Sequence, residues 1–284
     1  ITGANGFIGE AVWKELLSQG QRLVSLDEFV RGNCSSDVLK LEKLDWVLHF
    51  GAKTSIDGSF DNPFETFKNN LDSTLKALEI AKQYGSNILY LSSYVYGPPE
   101  YVPIDENHKV NVTNPYLGSK YLGELISQQI SELYNIRLTI LRAFHIYGIA
   151  HKPGRLISGL IEAFLNGEPF LLNDPKPCRD YLYIKDFVSL VLKIVQCDEI
   201  VEGTFNVGYG QSHSNMEVVN IFNQLTGNMI KVIVTNKERA NEVQNCLADI
   251  SKVRERFSWQ PKYTISNGLR EMVIEMQVQQ GGLQ

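Results

Sequence analysis

The sequence predicts an α/β fold in which a doubly wound parallel sheet carries a smaller C-terminal substrate-binding lobe. Three observations predict it. Short apolar runs alternate with helical patterns through the first two thirds of the chain, and strands that alternate with helices build βαβ units with helices on both faces of the sheet. Glycines stand at steps of three near the start, at Gly3, Gly6 and Gly9. After Gly148 the regular alternation breaks into proline-punctuated loops and less regular elements, which suits a separate lobe.

The first element is the turn Thr2-Gly3-Ala4-Asn5-Gly6-Phe7-Ile8-Gly9, followed by a helix to Gln19 in which Val12 and Leu16, and Trp13 and Leu17, repeat one turn apart. Gly3 permits a tight turn out of a strand. Gly6 lets backbone N–H groups approach a pyrophosphate, and Gly9 lets the helix pack closely on the sheet. The helix N-terminus adds its orphan N–H groups and the positive end of its dipole. This is the arrangement of a Rossmann-type dinucleotide site, and it needs a strand in front of it, so further residues are expected ahead of Ile1.

The run Arg22 to Leu26 reads as the second strand and closes at Asp27. That is about 20 residues beyond the turn, where an acid binds the adenosine ribose hydroxyls. A carboxylate there repels a 2′-phosphate and favours NAD over NADP, while the nearby Arg31 keeps NADP open. The stretch 28–44 is short for the helix, strand and helix expected in it. Trp46 to Phe50, Asn87 to Leu91 and Arg137 to Leu141 are the next strands, with Ser92-Ser93 closing the middle one. Helices are expected over Leu71 to Tyr84 and Tyr116 to Tyr134. Later helical patterns cover Arg155 to Asn166, Asp186 to Gln196, Glu217 to Thr226 and Ile265 to Gln277, with a strand at Thr204 to Val207. The expected division is a dinucleotide-binding domain over 1–148, to which 181–207 returns, and a substrate lobe over 149–180 and 208–284.

Composition narrows the function. The 284 residues are 43% hydrophobic and 21% charged, with a formal charge of −5 and no basic run. This argues against a general nucleic-acid binder, which needs cations to neutralise phosphates, but leaves room for a local basic pocket for one diphosphate. Cys34, Cys178, Cys197 and Cys246 form no CxxC pair and have no histidine at zinc spacing. They read as thiols of a reducing cytoplasm with no metal role. No apolar run approaches the ~18 residues of a membrane span, and no signal peptide is visible.

Tyr116 and Lys120 are four residues apart in a helical run that follows Asn114-Pro115, so they share a helix face. A free phenol with a pKa of about 10 is a poor base at neutrality. An ammonium one turn away favours the phenolate and makes Tyr116 a candidate acid/base for a hydroxyl. Ser92 is placed to hydrogen-bond the same oxygen. As a bare spacing the pair also fits an exposed tyrosine and a solvated lysine. The order of glycine turn, acid, serine at a strand end and Tyr-x-x-x-Lys favours chemistry.

Together with Asp37-Val38, His49-Phe50-Gly51-Ala52, Asn70, Ser92 to Gly97, Leu141 to Gly148, Arg179 to Ile184, Phe205 to Gly208, Asp249 to Lys252 and Trp259-Gln260-Pro261, these residues give a chain that resembles the NAD-dependent sugar epimerase/dehydratase family of extended short-chain dehydrogenases/reductases. The resemblance implies that Gly3, Asn5, Gly6, Phe7, Ile8, Gly9 and Asp27 hold NAD, with Asp37 and Val38 beside the adenine. It implies that Ala52, Lys53 and Asn70 line the path to the nicotinamide ribose, and that Ser92, Tyr116 and Lys120 are catalytic. Arg179, Arg239 and Glu242 would meet the diphosphate and ribose of a nucleotide sugar, where guanidinium forks suit phosphate oxygens, with Ser93 and His145 also on the substrate side.

Three departures refine the expectation. Ser93 and Tyr94 stand where dehydratases of the family carry acids, which counts against a 4,6-dehydratase and a sugar-acid decarboxylase. His145 replaces a common asparagine. Lys53 replaces a commonly neutral residue. The leading reading is therefore a 4-epimerase that transiently oxidises a sugar hydroxyl to a ketone and retains its NAD. A 4-keto-sugar reductase is the alternative, and a non-catalytic nucleotide sensor would be expected to lack Tyr116 or Lys120. The resemblance also implies a homodimer through the helices Leu71 to Tyr84 and Lys120 to Tyr134, and a cytoplasmic place in glycan or lipopolysaccharide precursor synthesis.

Overall fold

The apolar runs pair as a parallel sheet in the computed structural model, which describes residues 1–31, 41–149, 154–197, 199–237 and 242–281. The first half contains α1 (Phe7–Ser18), α2 (Asp27–Val30), β1 (Trp46–His49), α3 (Ile56–Asp61), α4 (Pro63–Tyr84), β2 (Asn87–Ser93), α5 (Pro115–Tyr134), β3 (Leu138–Ala143) and β4 (His145–Tyr147). The second contains α6 (Leu156–Asn166), β5 (Phe170–Leu172), β6 (Cys178–Tyr183), α7 (Ile184–Val195), β7 (Gly203–Val207), β8 (Ser212–Ser214), α8 (Asn215–Leu225), β9 (Val232–Val234), β10 (Asn245–Cys246), α9 (Ser251–Phe257) and α10 (Ile265–Gly281).

The main sheet runs β1-β2-β3-β7, every pair parallel. Thr2 extends it past β1: it bridges to His49, its N–H donates to the Leu48 carbonyl at 3.0 Å, and its own carbonyl accepts from Phe50 at 3.3 Å. Strand alternation sorts the side chains into two cores. Leu48, Leu89, Leu91 and Leu141 face the core shared with Val12 and Leu16 of α1 and with α7. Val47, Ile88, Tyr90 and Ile140 face the core shared with α4, and α5 packs against α4, β2 and β3 on that side. Both faces are thus covered by helices, as expected of a parallel sheet.

Two expectations need correction. Arg22 to Leu26 is not a regular strand; Leu26 donates to the Ile1 carbonyl at 2.8 Å and the Ile1 nitrogen donates to the Val24 carbonyl at 2.7 Å. Asp27 accordingly begins α2 rather than ending a strand. Most of the stretch 28–44 lies outside the described residues.

A second sheet, β10-β6-β4 with β8 antiparallel on β6, carries residues beyond the first half of the chain. Its anchor is Asp180, which is fully buried and accepts N–H groups from Tyr209 at 2.6 Å, Gly210 at 3.0 Å and Ala248 at 3.1 Å. Burial pushes this carboxyl up to about 6 against the pull of those three donors. Replacing it by asparagine leaves an amide N–H₂ facing backbone donors. Asp180→Asn is expected to cost about 2–3 kcal/mol in urea unfolding, and a loss below about 0.5 kcal/mol would show that the anchor is dispensable.

Candidate active site

The glycine turn is built as its spacing demands. Gly3 has φ +68°, a left-handed conformation that side chains rarely adopt. A Cβ on Gly9 would stand 2.0 Å from the Gly3 carbonyl oxygen, so only glycine lets α1 seat on the turn. Asn5 and Gly6 face solvent, Phe7 and Ile8 are half-buried, and no side chain caps α1 at Gly6. The helix therefore presents its N-terminus to the cleft, a cradle that suits an anionic diphosphate. Asp27 is buried beside it, with Oδ1 accepting the Gly3 N–H at 2.5 Å. The acid braces the turn through this bond.

A line of buried hydrogen bonds joins this turn to the helix that carries Tyr116. Thr2 Oγ1 accepts the Gly51 N–H at 3.0 Å and lies 2.7 Å from His49 Nδ1. The threonine hydrogen therefore goes to Nδ1, and His49 Nε2–H donates to Thr74 Oγ1 at 3.1 Å. Burial, reinforced by the positive charge of Lys120, holds the His49 ring neutral, well below its ordinary range. Thr74 Oγ1 donates to the Asn70 carbonyl at 2.8 Å. The Asn70 side chain accepts the Lys53 N–H at 2.7 Å and donates to the Lys53 carbonyl at 3.2 Å and to Ser119 Oγ at 2.8 Å. Ser119 Oγ then donates to the Tyr116 carbonyl at 2.7 Å. Both amide donors of Asn70 are thus committed to the protein, and it bears on the cleft by holding the Ala52-Lys53 loop against α5. The Lys53 ammonium pairs with Glu65 at 2.5 Å on the surface.

Asn114 starts α5: its side chain accepts the Leu117 N–H at 2.9 Å, with Pro115 at the first helical position. That fixes Tyr116 in the first turn and Lys120 one turn on, as the spacing predicts. Lys120 is buried, with its Nζ 4.3 Å from the centre of the Tyr90 ring. Burial pushes its ammonium down to about 7, opposed by Glu124. Burial raises Tyr116 above the usual phenol range, while a side-chain hydrogen bond with Ser93 and the charge of Arg155 act in the other direction. Ser92, the penultimate residue of β2, is buried with no hydrogen-bond partner for its Oγ, and Ser93 closes the strand. Tyr94 spends its hydroxyl on the Gly97 carbonyl.

On the second sheet the structure brings Arg179 of β6 and Glu242 together in an ion pair, with Arg179 also donating to the Cys178 carbonyl at 2.9 Å and the Val243 carbonyl at 2.6 Å. His145 is half-buried, its Nδ1 4.0 Å from Cys246 Sγ and its ring beside Tyr181. Asp37, Val38 and Arg239 lie outside the described residues. Among the described residues no three His, Cys, Asp or Glu side chains form a metal cluster, and no helix is long and apolar enough to cross a membrane. Sequence reasoning missed Arg155, Glu124 and Arg142. Only Glu124 left a signal, one turn beyond Lys120.

A cavity of about 580 Å³ lies elsewhere, lined by Ser131, Asn135, Leu138 and Gly203. It sits at the amino ends of β3 and β7, whereas ligands of open α/β sheets bind beyond the carboxyl ends, where Ser92 and the glycine turn lie. We therefore place the site at the carboxyl end.

The profile of the NAD dependent epimerase/dehydratase family matches residues 1–208. A putative UDP-glucose 4-epimerase of Methanocaldococcus jannaschii is 29% identical, with 96% of each chain covered. Among solved structures, a UDP-N-acetylglucosamine 4-epimerase from Methanobrevibacter ruminantium in complex with UDP-N-acetylmuramic acid is 25% identical, with a TM-score of 0.87 over 98% of this chain and 97% of that one. A UDP-glucose 4-epimerase from Bifidobacterium longum in complex with NAD+ and UDP is 25% identical, with a TM-score of 0.82 over 95% of each.

The contact between Gly9 and Gly3 makes the turn testable. Gly9→Ala must push α1 off the turn, and is expected to weaken NAD binding by calorimetry about tenfold or more. Unchanged affinity would mean that the turn is not the dinucleotide cradle.

Proposed function

Because the chain belongs to the NAD-dependent epimerase/dehydratase family, we propose that it is a nucleotide-sugar 4-epimerase, in keeping with the epimerases it is similar to. The observation that carries the reading is half-buried Tyr116 one helical turn before the buried Lys120 on α5, with the unpartnered hydroxyl of Ser92 at the same carboxyl end of the sheet. When bound, NAD supplies the hydride acceptor and donor for the carbinol carbon. Gly3, Asn5, Gly6, Phe7, Ile8, Gly9 and the α1 N-terminus would hold its diphosphate. Asp27 would take the adenosine ribose with the oxygen that Gly3 leaves, Asp37 and Val38 would flank the adenine, and Ala52 and Lys53 would border the nicotinamide ribose.

The chain's own residues then move one proton. Ser92 Oγ hydrogen-bonds the reacting sugar hydroxyl and aims it at Tyr116. Tyr116 takes the hydroxyl proton and returns it, and Lys120 stabilises the phenolate in between. Neither Ser93 nor Tyr94 offers a carboxylate to expel water, which supports epimerisation over dehydration. Arg179, Arg239 and Glu242 are assigned to the nucleotide diphosphate and His145 to the sugar side. Residues 149–180 and 208–284 are assigned to the lobe that closes on them. A reducing, cytoplasmic setting fits the free thiols of Cys178, Cys197 and Cys246, and supply of glycan or lipopolysaccharide precursors fits the substrate class.

The test is a panel of UDP-glucose, UDP-galactose, UDP-N-acetylglucosamine and UDP-glucuronate, read by NMR for new anomeric signals. At least one 4-epimer pair should interconvert, with NAD retained through gel filtration. Tyr116→Phe should cut that turnover about 10²–10⁴-fold. Complete loss of cofactor on the column with NADPH preference would favour a 4-keto-sugar reductase, and full activity of Tyr116→Phe would overturn the mechanism.

A homodimer through α4 and α5 is part of the proposal. Phe64 and Leu75 on α4, and Leu122 and Leu133 on α5, are exposed at i, i+11 spacing, which is three turns on one face. Phe64 is 88% and Leu133 74% exposed, so the stripe is an apolar surface with no cover in the single chain. Light scattering should give a dimer at micromolar concentration, with Phe64→Glu/Leu133→Glu monomeric. A wild-type monomer would sink this assembly.

A further inference from the structure

Behind the catalytic pair lies a buried ion pair that no step above uses. Glu124 stands one helical turn after Lys120 on α5 and is 1% exposed. Arg142 on β3 grips it with three contacts, Nε to Oε1 at 3.0 Å, Nε to Oε2 at 3.1 Å and Nη2 to Oε2 at 2.7 Å. Its remaining arm, Nη1, donates to Tyr96 Oη at 3.0 Å, and Tyr96 donates to Asn206 Oδ1 at 2.6 Å. Asn206 in turn donates to the Ile104 carbonyl at 2.9 Å. Arg142 is the register partner of both Ser92 on β2 and Asn206 on β7. The pair is therefore set in the same row of the sheet as the vacant serine and pinned from β7.

A buried pair of this kind rarely adds stability, because desolvation offsets the attraction. Its placement suggests another use. The titratable and charged groups around the Lys120 ammonium are Tyr116 and Glu124 on its own helix, Tyr90 on β2 and His49 on β1, with Arg142 behind Glu124 on β3. From α4 the nearby polar side chains, Asn70 and Thr74, are uncharged. Tyr90 is held neutral by burial and His49 is neutral. Glu124 is thus the one carboxylate of the group, and Arg142, which grips it from β3, shares its field with Lys120.

We propose that Glu124 and Arg142 are positioning residues for the proton chemistry, a fixed and partly neutralised negative charge that sets how readily Lys120 keeps its proton. The proposal rests on Lys120 partnering Tyr116 as described above. It gives the two members opposite effects: without Glu124, Lys120 loses its proton more easily; without Arg142, the full charge of Glu124 acts on Lys120 and holds the proton longer.

The test titrates Lys120 directly in the NAD-loaded full chain, by NMR of ¹³Cε-labelled lysine with Lys120→Arg as the assignment control. Glu124→Gln is expected to lower the Lys120 midpoint by about one pH unit, and Arg142→Gln to raise it by a similar amount. The pH limb of UDP-galactose turnover should move in the same two directions. If Glu124→Gln does not fold because it strands the Arg142 charge, the neutral pair Glu124→Gln/Arg142→Gln should fold and lower the midpoint. Shifts in the same direction for both single variants, or midpoints within about 0.3 unit of wild type, would overturn the proposal. If Tyr116→Phe abolishes turnover while these midpoints stay fixed, this inference alone falls and the epimerase reading stands.

Discussion

The carboxamide of Asn70 ties three parts of the cleft together through one side chain: it brackets the Lys53 peptide from both sides and reaches Ser119 on α5. Upstream of it run Thr74, His49 and Thr2, all buried. Left unpaired, each such group would cost about 1–3 kcal/mol. Linked end to end, each satisfies the next only if the glycine turn, β1, α4 and α5 hold their relative positions. Sheet pairing alone cannot fix α5 against the turn, because those elements share no ladder. The polar line does it where the strand order reverses, between Thr2 and β1, the place where open α/β sheets bind ligands. The distance from the cofactor turn to Tyr116 is therefore set by hydrogen bonds of defined length rather than by apolar packing, which tolerates sliding.

That rigidity gives the electrostatics a fixed frame. Lys120 is buried over the Tyr90 ring, so its ammonium is poised near neutrality rather than locked on. His49 lies close enough to feel that charge and answers by staying neutral, which keeps its one proton available for Thr74. The same neutral ring thus serves the polar line and spares Lys120 a competing cation. The second sheet uses the opposite device. Asp180 gathers three backbone N–H groups around a carboxylate and fastens the 208–210 and 248 segments to β6, leaving the neighbouring Arg179 to pair with Glu242 at the cleft.

The parts of this arrangement that were legible in the sequence are those written in local spacing. The Tyr116–Lys120 turn, the glycine steps and the alternating strands with their two cores all follow from periods of 3.6 and 2. Asp27 was found by its distance from the turn, although it opens a helix rather than closing a strand. Glu124 and Arg142 are 18 residues apart in sequence, and nothing local marks them as partners. The same holds for Thr2 with His49 and Asn70 with Ser119, contacts made across crossovers whose packing no short-range pattern encodes. Asn70 was picked out for the right region and the wrong task, since a motif records that a residue is there and not which of its hydrogen bonds are already used.

Ser92 and Ser93 show how that distinction decides chemistry. Successive residues of a strand point to opposite faces, so a regular β2 would send only one of them toward α5. Ser92 shares the register row of Arg142 and keeps the α5 face, and Ser93 is the last residue of the strand, where the chain leaves the sheet. The Ser92 hydroxyl is buried and unspent. Ser127 and Ser131 are also buried without partners, but they lie on α5 two and three turns past Lys120, toward the amino end of the sheet. What sets Ser92 apart is its place at the carboxyl end of the sheet with Tyr116 and Lys120: a vacant hydroxyl there gives up folding stability that, under the proposed function, a bound sugar hydroxyl would restore at the point where Tyr116 would take its proton.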